Sequence, residues 1–365
     1  MRKRILYVGH FPPPIHGVAV INEWIKSSQK INGYFDLTFI NISLSKDVTS
    51  LRKFSFSKLF NVFATLIRVV RQTYFSKYNL IVYNNAPLGI AFWRDSFYSI
   101  AIKIAKPSKT ELVFYVHGKG FKEYSLNSAA YRFFARKMFQ NTSVVCLSQL
   151  LAKEYEYFQI KRISILPNGI PSEVKTRKET VNQHTTFLFL SNFFKSKGIL
   201  DFVEAVISLN EKQPRSEFRF KIVGYDFDVS KEEIILMLES KNIRNRLDFI
   251  GPLMGSSKQE AILNSNVLVL PTYNDCFPLV ILEAFSYGTP VISTQVGAIP
   301  EIIDNGLSGF CLPPGERGEL IKSMEFFLEN PEQIKFFGIE AQKKFLTHYQ
   351  FAVFEQHFIE VFDSL

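Results

Sequence analysis

Asp275-Cys276-Phe277-Pro278-Leu279-Val280-Ile281-Leu282-Glu283 sets two carboxylates at the ends of an apolar segment that reads as the start of a helix. Pro278 suits a first helical turn, where a missing N–H costs little. Just upstream, Asn266-Val267-Leu268-Val269-Leu270-Pro271 reads as a buried strand. The unit is therefore a strand, a loop and a helix whose N-terminus points out of a sheet edge. Unbonded N–H groups and the positive end of the helix dipole meet there and suit a phosphate. Carboxylates beside it would accept hydrogen bonds from neutral hydroxyls. A phosphate accompanied by hydroxyls describes a sugar nucleotide.

The same alternation extends outward. Residues 186–190, 218–223, 247–250, 267–270 and 291–293 are apolar strand runs separated by helical patterns. An earlier series comprises strands at 5–8, 36–42, 80–83, 112–116, 144–147 and 163–166, with helical spacing at 17–30, 89–105 and 127–140. It ends at Pro167-Asn168-Gly169, a turn signal. Each series predicts a parallel sheet with helices on both faces. The chain thus reads as α/β, with two Rossmann-like doubly wound domains. Residues 1–170 form the first, the polar stretch 171–185 is a linker, and residues 186–348 form the second. The Phe-rich helix within 349–365 needs an apolar partner and is expected to return to the first domain.

Composition bounds the function. At 365 residues, 47% hydrophobic and 21% charged, the chain can bury two cores. Cys146, Cys276 and Cys311 form no Cys-x-x-Cys pair, which argues against a disulfide framework or a zinc site and fits a reducing compartment. Residues 5–8 are too short for a signal-peptide core, and no apolar run nears the roughly 20 residues that span a bilayer. Residues 1–165 hold 24 Lys and Arg against 8 Asp and Glu, whereas residues 166–365 hold 19 against 26. The basic front half suggests an anionic membrane or nucleic acid as partner, but no nucleic-acid motif is present. Residues 51–78 carry six Lys and Arg and no acid, and Phe54, Phe56, Leu59, Phe60, Phe63, Leu66 and Ile67 supply an apolar component. They read as a basic amphipathic element that could lie on a membrane surface or simply pack on its sheet.

Several loops at predicted strand ends hold candidate ligand groups. The loop Gly9-His10-Phe11-Pro12-Pro13-Pro14-Ile15-His16-Gly17 lacks the Gly-x-Gly-x-x-Gly fingerprint, though Gly17 would allow close approach of a ligand. His117 ends a strand, where side chains of doubly wound folds face a ligand crevice. In Ser191-Asn192-Phe193-Phe194-Lys195-Ser196-Lys197-Gly198, Lys197 could neutralise a diphosphate. Asp226-Phe227-Asp228 has a cation-binding spacing, but two carboxylates alone are an incomplete ligand set, and helix capping explains them better.

Taken in order, these pieces resemble the retaining glycosyltransferases of glycosyltransferase family 4, which have the GT-B fold, two Rossmann-like domains facing across a cleft. The family's Glu-x7-Glu pattern is similar to Asp275 through Glu283, and Gly288-Thr289-Pro290-Val291 and Gly297-Ala298-Ile299-Pro300-Glu301 extend the match. The resemblance implies that Glu283 binds the nucleotide ribose and Asp275 the donor-sugar hydroxyls. Lys197 would hold the diphosphate with amides near Phe277, Pro278, Leu279 and Val280. His117 would contact the donor sugar and Gly17 would line the cleft. It further implies transfer of a hexose-type sugar from a nucleotide-sugar to a glycan acceptor, with retention. No metal or other cofactor is expected, and the acceptor would be lipid-linked, as in cell-surface polysaccharide biosynthesis. The enzyme would be cytoplasmic, peripheral on the inner membrane face. Three positions depart from the pattern. Asn192 replaces an Arg that would touch the diphosphate, with Lys195 nearby; Asp275 is one methylene short of Glu; and His16-Gly17 replaces paired glycines. A nucleotide-sugar epimerase on the same fold, or a non-catalytic sugar-nucleotide-binding partner, would present a similar phosphate site.

Overall fold

The computed structural model describes residues 2–43, 56–171, 184–214 and 217–365. Residues 172–183 of the expected linker lie outside the described residues, as do residues 51–55 of the basic stretch and the side chains of 56–59. The chain divides into two units, Met1–Asn168 with Ala352–Leu365, and Gly169–Phe351.

The first unit is built on six parallel strands: β1 (Arg4–Gly9), β2 (Asp36–Asn41), β3 (Leu80–Tyr83), β4 (Glu111–Val116), β5 (Ser143–Cys146) and β6 (Arg162–Ile165), in the order β2-β1-β3-β4-β5-β6. Ile5, Leu6, Tyr7 and Val8 are all fully buried, so both faces of the sheet are covered. That is why these strands read as continuous apolar runs. The cover comes from α1 (Gly17–Ser27), α2 (Gln29–Tyr34), α3 (Phe56–Phe75), α4 (Gly89–Ala105), α5 (Phe121–Asn127), α6 (Ala129–Phe139) and α7 (Gln149–Ala152). The expected single helix over 17–30 is two helices. Ser28 breaks it: its Oγ accepts from the Ile31 amide at 3.0 Å as the N-cap of α2 and donates to Glu355 at 2.5 Å.

The second unit holds β7 (Thr185–Leu190), β8 (Phe218–Val223), β9 (Leu247–Ile250), β10 (Val267–Leu270), β11 (Val291–Thr294) and β12 (Gly309–Leu312), all parallel, ordered β12-β11-β10-β7-β8-β9. Its helices are α8 (Ile199–Lys212), α9 (Lys231–Glu239), α10 (Gly255–Leu263), α11 (Leu279–Ser286), α12 (Ile299–Ile302), α13 (Arg317–Glu329) and α14 (Pro331–His348). Strand β12 is absent from the sequence reading. Four residues beginning with glycine carry little strand signal, and pairing with β11 supplies what the local sequence lacks.

The last helix, α15 (Phe351–Asp363), belongs to the first unit. Its Phe358 ring meets Phe35 at 6.3 Å, and Phe362 meets Tyr115 at 6.1 Å. Arg162 donates to the Ser364 carbonyl at 2.6 Å.

Candidate functional site

In the second unit the strand order reverses between β7 and β10, with β8 and β9 to one side and β11 and β12 to the other. Loops leaving the carboxyl ends of strands at such a reversal diverge and open a crevice. The loop after β7 carries Lys197 in a single tight turn, Lys195–Lys197, closed by Gly198 at φ 75°. A Cβ on Gly198 would lie 2.0 Å from the Pro271 carbonyl oxygen, so only glycine lets this loop press against the loop after β10. The Tyr273 amide donates to the Ser196 carbonyl at 2.8 Å and stitches the two together. The Lys197 ammonium then donates to the Asn274 carbonyl at 3.0 Å and to Asp275 Oδ2 at 2.5 Å.

Asp275 is fixed from three directions. Its Oδ2 holds Lys197, and its Oδ1 accepts from the Cys276 amide at 2.9 Å. Its backbone is braced by the loop after β11, where the Ala298 amide donates to the Cys276 carbonyl at 2.9 Å. Gly297, at φ 58°, permits that approach: a Cβ there would sit 2.4 Å from the Asp275 carbonyl oxygen and 2.6 Å from that of Cys276.

Helix α11 follows directly. Pro278 occupies its N-cap rather than the first turn (φ −71°, ψ 111°), and no side chain caps the helix. Opening amides of a helix have no intrahelical partner, so those of Leu279 and Val280 are anion donors. The side chains of Phe277 and Pro278 are buried, and the Phe277 ring meets Tyr349 at 6.2 Å. What these two residues can offer a ligand is therefore backbone. One turn along α11, the partly buried Glu283 is paired with Lys258 of α10, whose Nζ lies 2.5 Å from Oε2 and donates to Oε1 at 2.8 Å. Lys258 escaped the sequence reading because nothing local links it to a residue 25 positions away.

The neighbouring polar groups serve the backbone. Asn192 Oδ1 accepts from the Tyr225 amide at 3.3 Å, which ties the β7 loop to the β8 loop. Asp228 accepts from the Lys195 amide at 2.7 Å and Asp226 from the Lys231 amide at 3.2 Å, while Ser230 caps α9. Among the described residues, no cluster of three or more His, Cys, Asp or Glu could hold a metal ion.

In the first unit the order reverses between β1 and β3. His16 caps α1, its Nδ1 accepting from the Ala19 amide at 3.4 Å. Gly17 opens that helix, and a Cβ there would meet nothing within 4 Å, so the glycine leaves space at the helix end. His117, after β4, packs its ring on Tyr115 at 4.3 Å, and its Nε2 is buried without a hydrogen-bond partner. Burial, reinforced by His16, pushes its pKa down to about 3, and the imidazole is neutral. His10, after β1, is likewise pushed down to about 3 by burial and then by Arg94.

A buried ion pair ties these loops together. Asp95 accepts from Arg94, from the Tyr83 hydroxyl at 2.8 Å and from the Ala86 amide at 2.8 Å. Arg94 donates to the Ile42 carbonyl at 3.3 Å and stands 3.4 Å from His10 Nε2. The loops after β1, β2 and β3 are thus held by one pair that sequence spacing did not reveal.

Residues 172–344 match the family model described as glycosyl transferases group 1. Over 160 residues, 42% of this chain, the sequence is 26% identical to the phosphatidylinositol N-acetylglucosaminyltransferase gpi3 subunit of Schizosaccharomyces pombe, covering 33% of that protein. The chain spans less than two thirds of the length of the curated relatives it matches first. Among solved structures it is similar to sucrose-phosphate synthase from Thermosynechococcus elongatus, with a TM-score of 0.73, 17% identity and coverage of 100% of this chain and 99% of the other. An Anabaena protein solved with UDP and glucose aligns with a TM-score of 0.71, 15% identity and full coverage of both chains. Residues 172–344 thus match the glycosyl transferases group 1, and the whole-chain likeness in structure shows the GT-B fold.

Proposed function

We propose that the protein is a retaining, metal-independent glycosyltransferase. It takes a hexose-type sugar from a nucleotide-sugar and passes it to a lipid-linked glycan acceptor in cell-surface polysaccharide synthesis, at the inner face of the membrane. One observation carries the reading: Lys197 and Asp275 are clasped 2.5 Å apart directly before the uncapped start of α11. A diphosphate would sit on the Leu279 and Val280 amides with Lys197 beside it, so the leaving charge is met by fixed donors. Asp275 would accept from sugar hydroxyls once Lys197 turns to the phosphate. Glu283 would accept from the ribose hydroxyls, with Lys258 holding its carboxylate in place. The Anabaena structure holds UDP and glucose, and the fission-yeast relative is named for a lipid acceptor; both support the substrate classes.

The bond from the anomeric carbon to the phosphate oxygen would break as the acceptor oxygen bonds on the same face. The leaving phosphate oxygen would take the acceptor proton. A thermal-shift screen against UDP-, GDP-, ADP- and dTDP-sugars identifies the donor, because a ligand that binds the folded state raises the midpoint by mass action. Transfer to a panel of lipid-linked and free glycans, with and without EDTA, then follows, and NMR reads the anomeric configuration of the product. Retention with EDTA-insensitive turnover is expected. An inverted product, or a new sugar epimer formed without acceptor, refutes the reading.

A further inference from the structure

Helices α3, α4 and α6 pack side by side on one face of the first sheet, α3 against α4 and α4 against α6. Each should be spent once its inner side is buried, as α3 does with Val69 and α4 with Phe92 and Ile102. Yet both carry a second apolar stripe facing outward. On α3 it is Phe60, Phe63, Ile67 and Tyr74, which are 73%, 56%, 66% and 65% exposed. On α4 it is Ile90, Trp93, Phe97 and Ile104, at 85%, 37%, 56% and 82%. The two stripes have the same spacing, at positions 0, 3, 7 and 14, which keeps each on one side of its helix. Phe133 of α6, 56% exposed, continues the surface. Outward apolar stripes on neighbouring helices of a folded domain mark an interaction site.

Charge selects the partner. Across α3, α4 and α6 the sole acid is Asp95, which is fully buried against Arg94. Exposed Arg68 and Arg71 border the α3 stripe. On α6, Arg132, Arg136 and Lys137 line a surface cavity of about 490 Å³ with Phe133 and Tyr157. Arg136 lies over the Tyr157 ring at 5.7 Å and Lys137 over Phe133 at 5.9 Å. Lys103 donates to the Lys137 and Gln140 carbonyls, each at 2.7 Å, and burial, with Lys106 and Lys137 beside it, lowers its pKa. An apolar ridge bordered by cations, with no exposed carboxylate on the three helices, is complementary to an anionic bilayer: rings enter the interface and cations meet phosphates. A protein partner would call for mixed charge at the rim.

We propose that the outer face of α3, α4 and α6 is a membrane-docking surface that inserts both stripes into an anionic bilayer and seats a lipid phosphate between Arg132, Arg136 and Lys137. This deepens the membrane part of the function proposed above and rests on it only there, because docking can be measured without any transfer.

The test is flotation of the full chain with phosphatidylcholine vesicles that contain or lack one quarter phosphatidylglycerol. Ile67→Glu/Ile90→Glu and Arg132→Glu/Arg136→Glu are compared with wild type. Wild type is expected to bind the anionic vesicles at least tenfold better than the neutral ones and to lose that preference in 0.5 M salt. Either double variant is expected to reduce binding at least tenfold with an unchanged thermal midpoint. In a Trp24→Phe background, brominated lipid should quench Trp93. Equal binding by wild type and both variants, no binding to anionic vesicles, or unquenched Trp93 overturns the proposal. So does a concentration-dependent dimer abolished by Ile67→Glu/Ile90→Glu, which would make a second copy the occupant. Should transfer fail while flotation holds, the enzymatic reading alone falls.

Discussion

Gly297→Ala is expected to damage the Lys197–Asp275 site although residue 297 carries no chemistry. Two costs add. The left-handed φ of 58° costs a non-glycine residue about 1–2 kcal/mol. The new Cβ would also lie 2.4 Å and 2.6 Å from two carbonyl oxygens, where ordinary contact begins at 3.4 Å. The loop bearing Asp275 must therefore retreat by roughly 1 Å, at the expense of the Ala298–Cys276 hydrogen bond, itself worth about 1 kcal/mol. Gly306 is the control, with a φ of 80° and nothing within 4 Å of its Cβ, so Gly306→Ala bears the conformational cost alone. Any gain from a less flexible unfolded chain is shared by both variants and cancels. With the conformational cost common to both variants, Gly297→Ala should be less stable than Gly306→Ala by about 1 kcal/mol, or roughly 2–4 °C in thermal midpoint for a unit of this size. Displacing reactive groups by about 1 Å costs on the order of 100-fold in rate. Gly297→Ala should lose that much sugar transfer, and Gly306→Ala little. Thermal denaturation and initial-rate assays on both variants suffice. Equal midpoints and equal rates would refute the bracing of Asp275 by the β11 loop.

Three further outcomes follow from other contacts. His10 and His117 stay neutral down to about pH 3 in the folded chain but protonate near 6.5 when unfolded. Their contribution to stability is complete above pH 6.5 and is lost as pH falls toward 3, by up to about 1.4 kcal/mol per pH unit for each; a His10→Gln/His117→Gln variant should show a flatter decline in urea-unfolding stability between pH 6.5 and 4.5. Removing Lys258 leaves Glu283 without its cation, and Lys258→Ala should weaken binding of the nucleotide-sugar selected by the thermal-shift screen about tenfold, ~1.4 kcal/mol, by titration calorimetry. Asp95→Ala strands a buried arginine and should cost about 3–5 kcal/mol in urea unfolding, whereas replacing both Arg94 and Asp95 with apolar residues should cost less.

Much of the second unit was legible because its determinants are local. Asp275 through Glu283 lie within nine residues, and the apolar strand before them needs no distant partner to be recognised. The single turn carrying Lys197 ends at Gly198, and the helix break at Ser28 rests on a local capping signal, a serine hydroxyl within reach of an amide three residues on. Pro278 stands one residue before the first turn that its sequence context suggests, because the cap and the first turn share φ and differ in ψ. The outward stripes of α3 and α4 show no local sign of exposure, since an apolar residue on a helix gives no hint of whether its side faces sheet or solvent.

Local sequence determined most of the strands and helices, β12 excepted, together with the charge asymmetry and the kind of group each loop could offer a ligand. These follow from side-chain periodicity and backbone preference, which act over a few residues. Tertiary structure decided which groups meet. It brought Lys197 to Asp275 and Lys258 to Glu283, and it let one Arg94–Asp95 pair hold three loops. Those pairings depend on strand order and on glycines that admit one backbone against another. Strand order is settled by the packing of whole sheets, and no short stretch of chain contains it.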